Sequence, residues 1–273
     1  MKKKLLITMG CSYTEGFGCY DESRLPPGAQ IYSSDLLSQE EIDYQRNRFH
    51  ELGWPNRLGK KLGYDKVINL GIGGGSTSGN LKHFMEHYWD TDFEDYEVLI
   101  MWWLPTSHRF SFYSDDEIKH ISPPNSDEPR KDDPYYLLGK DYLNFVKDYP
   151  NDTYLEQIFY LKLMLNHCKL KGFEFLWYVN NDFIATPIFN QYPGKEHWIN
   201  IDSSKFTYAV YHDKKNVSPI CSHPNEMGYE IVSEHFYESI KNYHPNLIKN
   251  TAVDYIEWEW RGFSEKNFTK DNE

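Results

Sequence analysis

The chain has 273 residues, 40% hydrophobic and 26% charged, a composition that suits one large α/β domain or two small ones with a substantial core. Asp and Glu number 41 against 29 Lys and Arg, a net charge of −12, so a basic face for nucleic acid is not expected. No run nears the roughly eighteen apolar residues of a spanning helix, and Leu5 to Met9 is too short and too soon followed by Cys11, Ser12, Thr14 and Glu15 for a signal peptide. With four cysteines and no disulfide framework, the expectation is reduced thiols, no membrane partner and a cytoplasmic protein.

In chain order, Leu5 to Met9 reads as a buried strand ending at Gly10. Trp54, Leu58 and Leu62 recur every four residues, with Pro55 in the first turn and Gly63 at the stop, so a short helix follows. Val67 to Leu70 predicts a second strand, closed by the glycine run Gly71 to Gly75. Ser76, Thr77 or Ser78 caps the next helix, striped by Leu81, Phe84, Met85, Tyr88 and Trp89. Val98 to Trp103 is a third strand. Leu155, Ile158, Phe159, Leu161 and Leu165 stripe a helix over about 153–170, and Phe173 to Val179 is a fourth strand. A further short strand is expected between Trp198 and Val210. Val232, Phe236 and Ile240 stripe a last helix opened by Pro224.

This alternation predicts a parallel sheet with helices on both faces, and ligands in such folds sit beyond the carboxyl ends of the strands. Residues 19–50 and 111–150 are too long for simple connections and read as insertions into a domain spanning 1–245. Residues 246–273 form a C-terminal tail whose Trp258, Trp260 and Phe263 suggest that its first part docks on something. The 17% aromatic content predicts an aromatic-rich core, with stacking platforms for ring ligands as the functional alternative.

Three segments at the strand ends carry chemistry. Gly10-Cys11-Ser12-Tyr13-Thr14 places a serine just past the first strand. Ser222-His223-Pro224-Asn225 places a histidine in the loop before the last helix, where a base for that serine is needed. Asn69 to Ser76 is glycine-rich, which lets backbone N–H groups approach a ligand.

Together these segments resemble the SGNH, or GDSL-type, hydrolase superfamily, most closely its divergent phage and bacterial members, over about residues 4–243. The resemblance implies a flavodoxin-like three-layer α/β sandwich around a five-stranded parallel sheet. It implies Ser12 as nucleophile, His223 as base, and the N–H groups of Ser12 and Gly74 as oxyanion donors. The activity implied is hydrolysis of small acyl esters, often acetyl groups on glycans, with no cofactor, no metal and a small-molecule or glycan ester as partner. Nothing in the sequence indicates an oligomeric state.

Two family features are missing. The G-x-N-D block is replaced by Trp102-Trp103-Leu104-Pro105-Thr106-Ser107, so Thr106 or Asn180 is the candidate for the third oxyanion donor. Cys221 and Ile220 stand where the family carries an aspartate, so a backbone carbonyl, Asp202 or Asp213 is left to orient the imidazole. Trp103 and Arg109, at the end of the third strand, are candidate substrate contacts. A non-catalytic binding or assembly module with a degraded site is the alternative.

One further pattern, His83-Phe84-Met85-Glu86-His87, matches a zinc-helix spacing. The helical wheel sets its three polar residues opposite a stripe centred on Leu81, Met85 and Tyr88, which predicts a solvated face rather than a metal site.

Overall fold

The computed structural model describes residues 2–26, 36–106, 109–114, 117–121, 150–179, 187–248 and 252–260. Five parallel strands form the central sheet: β1 (Lys3–Gly10), β2 (Lys66–Gly71), β3 (Tyr96–Trp103), β6 (Glu174–Tyr178) and β7 (Glu257–Trp260). Their order across the sheet is β6-β3-β1-β2-β7. A separate two-stranded antiparallel sheet pairs β4 (Phe110–Ser114) with β5 (Glu117–Ile121). The helices are α1 (Ser12–Glu15), α2 (Gln39–Leu52), α3 (Trp54–Leu62), α4 (Thr77–Tyr88), α5 (Pro150–Lys171), α6 (Ser203–Tyr211) and α7 (Glu226–Tyr243). None among the described residues is long and apolar enough to cross a membrane.

The period of two along each strand divides the core into two layers. Leu6, Val67, Leu99, Met101 and Trp103 face α3, α6 and α7, where Trp54, Leu58, Phe206, Val232 and Phe236 pack on them. Leu5, Ile7, Met9, Val98, Ile100 and Trp102 face α4 and α5, where Phe84, Tyr88, Ile158, Leu161 and Met164 pack. The result is the three-layer sandwich expected for the sequence. Chain connections leave β1 in opposite directions to β2 and β3, so the strand order reverses beside β1, the usual place for a ligand crevice.

Several expectations are corrected. The fifth strand does not come from 198–210. Trp198 makes an isolated bridge to Trp177, and Ser203–Tyr211 is helical. The fifth strand is Glu257–Trp260, which pairs with Lys66–Asn69, so part of the expected tail belongs to the sheet. The expected insertion at 19–50 contains α2, capped by the Ser38 side chain accepting from the Glu41 N–H. On α4 the side chains rotate relative to the wheel: Met85 is 42% exposed and His83 is fully buried. On α5, Leu155 and Phe159 are exposed, while Gln157, Ile158, Leu161, Met164 and Cys168 face inward.

Candidate active site

The first strand ends at Gly10, and Cys11 caps the four-residue helix α1 that begins with Ser12. The N–H groups of Thr14 and Glu15 return to the Cys11 carbonyl. Helix geometry gives the first N–H groups, those of Ser12 and Tyr13, no acceptor within the helix, so a donor stands beside the Ser12 hydroxyl. Asn69, buried at the end of β2, holds this turn in place. Its Nδ2 donates to the Thr14 carbonyl at 2.9 Å, and its Oδ1 accepts from the Gly71 N–H at 2.9 Å. Asn80 does the same from α4, donating to the Gly10 carbonyl and accepting from the Trp102 indole.

His223 arrives from the other end of the chain. The Ser218 N–H donates to the His223 carbonyl, and the Asn225 N–H to that of Asn216. The Asn225 side chain caps α7 by accepting from Met227 and Gly228. The loop is welded to the serine turn at two points. The Tyr229 hydroxyl donates to the Phe17 carbonyl at 2.9 Å. Gly18 passes so close to the histidine that a Cβ there would lie 2.3 Å from the Pro224 carbonyl oxygen and 3.0 Å from His223 Cβ, and its φ of +120° also demands glycine.

These anchors place Ser12 Oγ 2.8 Å from His223 Nε2. The opposite ring nitrogen, Nδ1, lies 3.1 Å from the Cys221 carbonyl oxygen. A carbonyl only accepts, so Nδ1 carries the proton and Nε2 is the acceptor for the Ser12 hydroxyl. Tyr13 and Phe17 flank the imidazole at ring separations of 5.0 and 5.1 Å. Burial lowers the His223 pKa below the ordinary imidazole value, and the Arg109 charge lowers it further, against the Cys221 hydrogen bond, which raises it. The ring is therefore a neutral base near pH 7.

The other candidate residues are distributed as follows. Asp213 caps the short helical turn at Lys214–Asn216 and pairs with Lys215. Asp202 accepts from the Lys205 N–H and pairs with the Lys205 ammonium at the start of α6. Neither holds Nδ1, which the Cys221 carbonyl occupies; a backbone acceptor carries no residue-type signature, so the sequence could not single it out. Gly74 takes a left-handed φ of +73° in the turn between β2 and α4, at the same sheet edge as Ser12. Thr106 lies just past β3, and among the described residues its buried Oγ1 has no hydrogen-bond partner. Asn180 lies outside the described residues. Trp103 is 3% exposed and packs against Tyr13, Tyr178 and Phe236, so its ring is part of the core and presents no face to a substrate. Arg109 sits in the turn leaving β3, with its N–H donating to the Thr106 carbonyl.

No family model matches the chain, and no curated protein matches it. Among solved structures it is similar to one described as "The active site of a carbohydrate esterase displays divergent catalytic and non-catalytic binding functions". The identity is 12% and the TM-score 0.48, over 91% of this chain and 71% of that one.

Thiol chemistry at the site is disfavoured at Cys221, whose pKa is raised by burial, leaving it protonated near neutral pH. Away from the site, His83, Glu86 and His87 bring their ligand atoms within 4.8 Å of one another. The predicted solvated face is corrected for His83, which is buried, while Glu86 is exposed.

Proposed function

We propose that this chain hydrolyses small acyl esters by acyl transfer through Ser12. The observation that carries the reading is the hydrogen bond of the Ser12 hydroxyl to a histidine whose other nitrogen is already committed as a donor. As Ser12 Oγ attacks the carbonyl carbon, its proton passes to His223 Nε2. The tetrahedral oxyanion accepts from the Ser12 N–H at the start of α1 and from the Gly74 N–H that the family resemblance assigns. The carbon–oxygen bond to the leaving alcohol then breaks, and the alkoxide takes the proton from Nε2. Water attacks the acyl-serine in a second cycle with His223 again as base. The family resemblance adds acetyl groups on glycans as the substrate class.

A neutral carbonyl in place of a carboxylate costs this dyad rate. A carboxylate partner stabilises the imidazolium formed in the transition state, and losing it can cost about 10⁴-fold. That observation favours the second reading, a non-catalytic binding module. The two separate on hydrolysis of a short-chain aryl ester near pH 7.5 by wild type, Ser12→Ala and His223→Ala. Wild-type turnover that falls to background in both variants supports the hydrolase. Equal inertness of all three folded proteins, on the aryl ester and on acetylated glycans, supports the module.

A further inference from the structure

An unmatched cation lies just past β3, at the sheet edge that carries Ser12. Several described cations elsewhere find carboxylates: Arg57 pairs with Glu226 and Glu230, Lys61 with Glu230 and Glu234, and Lys66 with Glu257 and Glu259. Acids outnumber bases in this chain, so partners are plentiful. Yet among the described residues no carboxylate pairs with Arg109, and its buried Nη1 has no hydrogen-bond partner. The same turn holds a second orphan, the buried Oγ1 of Thr106. The Arg109 N–H bond to the Thr106 carbonyl at 3.3 Å ties the two residues together. A Gln157 amide bond to the Pro105 carbonyl at 2.6 Å, and a Leu104 N–H bond to the Tyr178 carbonyl, fix the turn to the end of β3.

Leaving a guanidinium N–H and a hydroxyl buried without acceptors costs free energy, so each calls for a partner from outside the chain, an ordered water or a ligand. Both groups donate, and one is charged, so the complement is an anion. The planar fork of a guanidinium matches a carboxylate in particular. The turn leaves β3 at the carboxyl edge of the sheet, one strand from β1, and the Trp103 ring at the end of β3 lies 5.3 Å from that of Tyr13, the neighbour of Ser12. Burial raises the Tyr13 pKa and lowers that of His223, and the Arg109 charge acts downward on both rings, opposing burial at Tyr13 and reinforcing it at His223.

We propose that Arg109 and Thr106 form a carboxylate subsite beside Ser12, so that the ester this protein cleaves belongs to an acidic sugar or a similar carboxylate-bearing molecule. This rests on the reading of Ser12 as nucleophile for its reaction, but the subsite itself binds without turnover.

The test has a binding arm and a turnover arm. D-glucuronate, D-glucose and inorganic phosphate are titrated calorimetrically into wild type, Arg109→Gln and Arg109→Lys, each checked for an unchanged melting temperature. Glucuronate is expected to bind at least tenfold tighter than glucose. Arg109→Gln should weaken it by about ten- to a hundredfold, the range for a charged hydrogen bond, with part of the affinity restored in Arg109→Lys. Glucose binding as well as glucuronate, or no loss in Arg109→Gln, overturns the subsite. Phosphate binding tighter than glucuronate overturns the carboxylate assignment. In the turnover arm, acetate release is compared for acetylated glucuronate and acetylated glucose. A preference for the acid that collapses in Arg109→Gln supports the proposal. Equal release from both overturns it while leaving the hydrolase reading intact. Arg109-dependent glucuronate binding with no acetate release from either sugar supports the subsite and overturns the hydrolase reading instead.

Discussion

The Cys221 carbonyl accepts from His223 two residues further along the same loop, and this local contact sets the tautomer that the distant Ser12 hydroxyl requires. The backbone here does a job usually given to a carboxylate, orienting the ring, but supplies no full negative charge.

The pH dependence of the proposed reaction follows from that environment. Only neutral His223 accepts the Ser12 proton, so kcat/KM falls on the acid side as the ring protonates. Its pKa is held below the ordinary value of 6.5, chiefly by burial, with Arg109 acting in the same direction and the Cys221 carbonyl opposing. The acid inflection for a neutral aryl ester is therefore expected below pH 6.5, and Arg109→Gln should move it upward. An inflection above 6.5 in the wild type would contradict the burial argument.

Gly18 is predicted to tolerate no side chain. A Cβ would collide with the Pro224 carbonyl, and the φ of +120° strains any L residue. Gly18→Ala should destabilise the protein by about 1–3 kcal/mol and lower esterase activity more than stability alone explains, because the displaced backbone carries His223. Thermal melting and aryl-ester kinetics on the same preparation separate the two effects.

Buried His50 makes stability pH-dependent. Asn69 Nδ2 donates to His50 Nδ1 at 3.1 Å, and the ring stacks on Trp260 at 4.7 Å, so the folded site holds only the neutral ring. Burial, and secondarily Arg46, push its pKa well down. Above about pH 6.5 neither state takes up a proton there and the contribution is fully present. Below it the unfolded chain protonates and the folded one does not, so stability falls by up to about 1.4 kcal/mol per pH unit until the folded pKa is reached. Urea unfolding at pH 7.5 and 5.5 should show a smaller loss in His50→Gln than in wild type, which isolates this ring from the other histidines.

The edge strand offers a packing test. Ile256 is buried at the entry to β7, and Lys66 bridges from β2 to Glu257 and Glu259. Ile256→Ala should cost about 2–5 kcal/mol, whereas Lys66→Ala, which removes partly exposed ion pairs, should cost under about 1 kcal/mol. Comparable losses would mean that the edge is held by charge rather than by the core.

The His83, Glu86 and His87 cluster sits on α4 and takes no part in the proposed steps. Dialysis against EDTA is expected to leave aryl-ester turnover unchanged. Activity lost to the chelator and restored by zinc would bring a metal into the reaction.

The sequence shows the strands β1, β2, β3 and β6 clearly because each is a continuous apolar run, as a strand buried on both faces must be. It hides β7, since Glu257-Trp258-Glu259-Trp260 alternates as an edge strand does and lies beyond a long polar stretch. The wheel of α4 misplaces Met85 and His83 because the buried face is set by what packs there, not by hydrophobicity alone. At the site, Ser12 and His223 are legible from their strand and helix contexts. The Asn69 and Asn80 braces are legible only once the structure shows which carbonyls they reach. Trp103 looks like a ligand platform in one dimension and is a core residue in three.

Ser12 and His223 stand 211 positions apart in the chain. Their contact cannot form from any local hairpin or helix pair. It appears only after most of the parallel sheet has closed, the slowest kind of pairing for a folding chain. During refolding, reactivity of the Ser12 hydroxyl is therefore expected to return with the last tertiary phase, after helical signals have recovered. An activated serine here would double as a clock for completed folding.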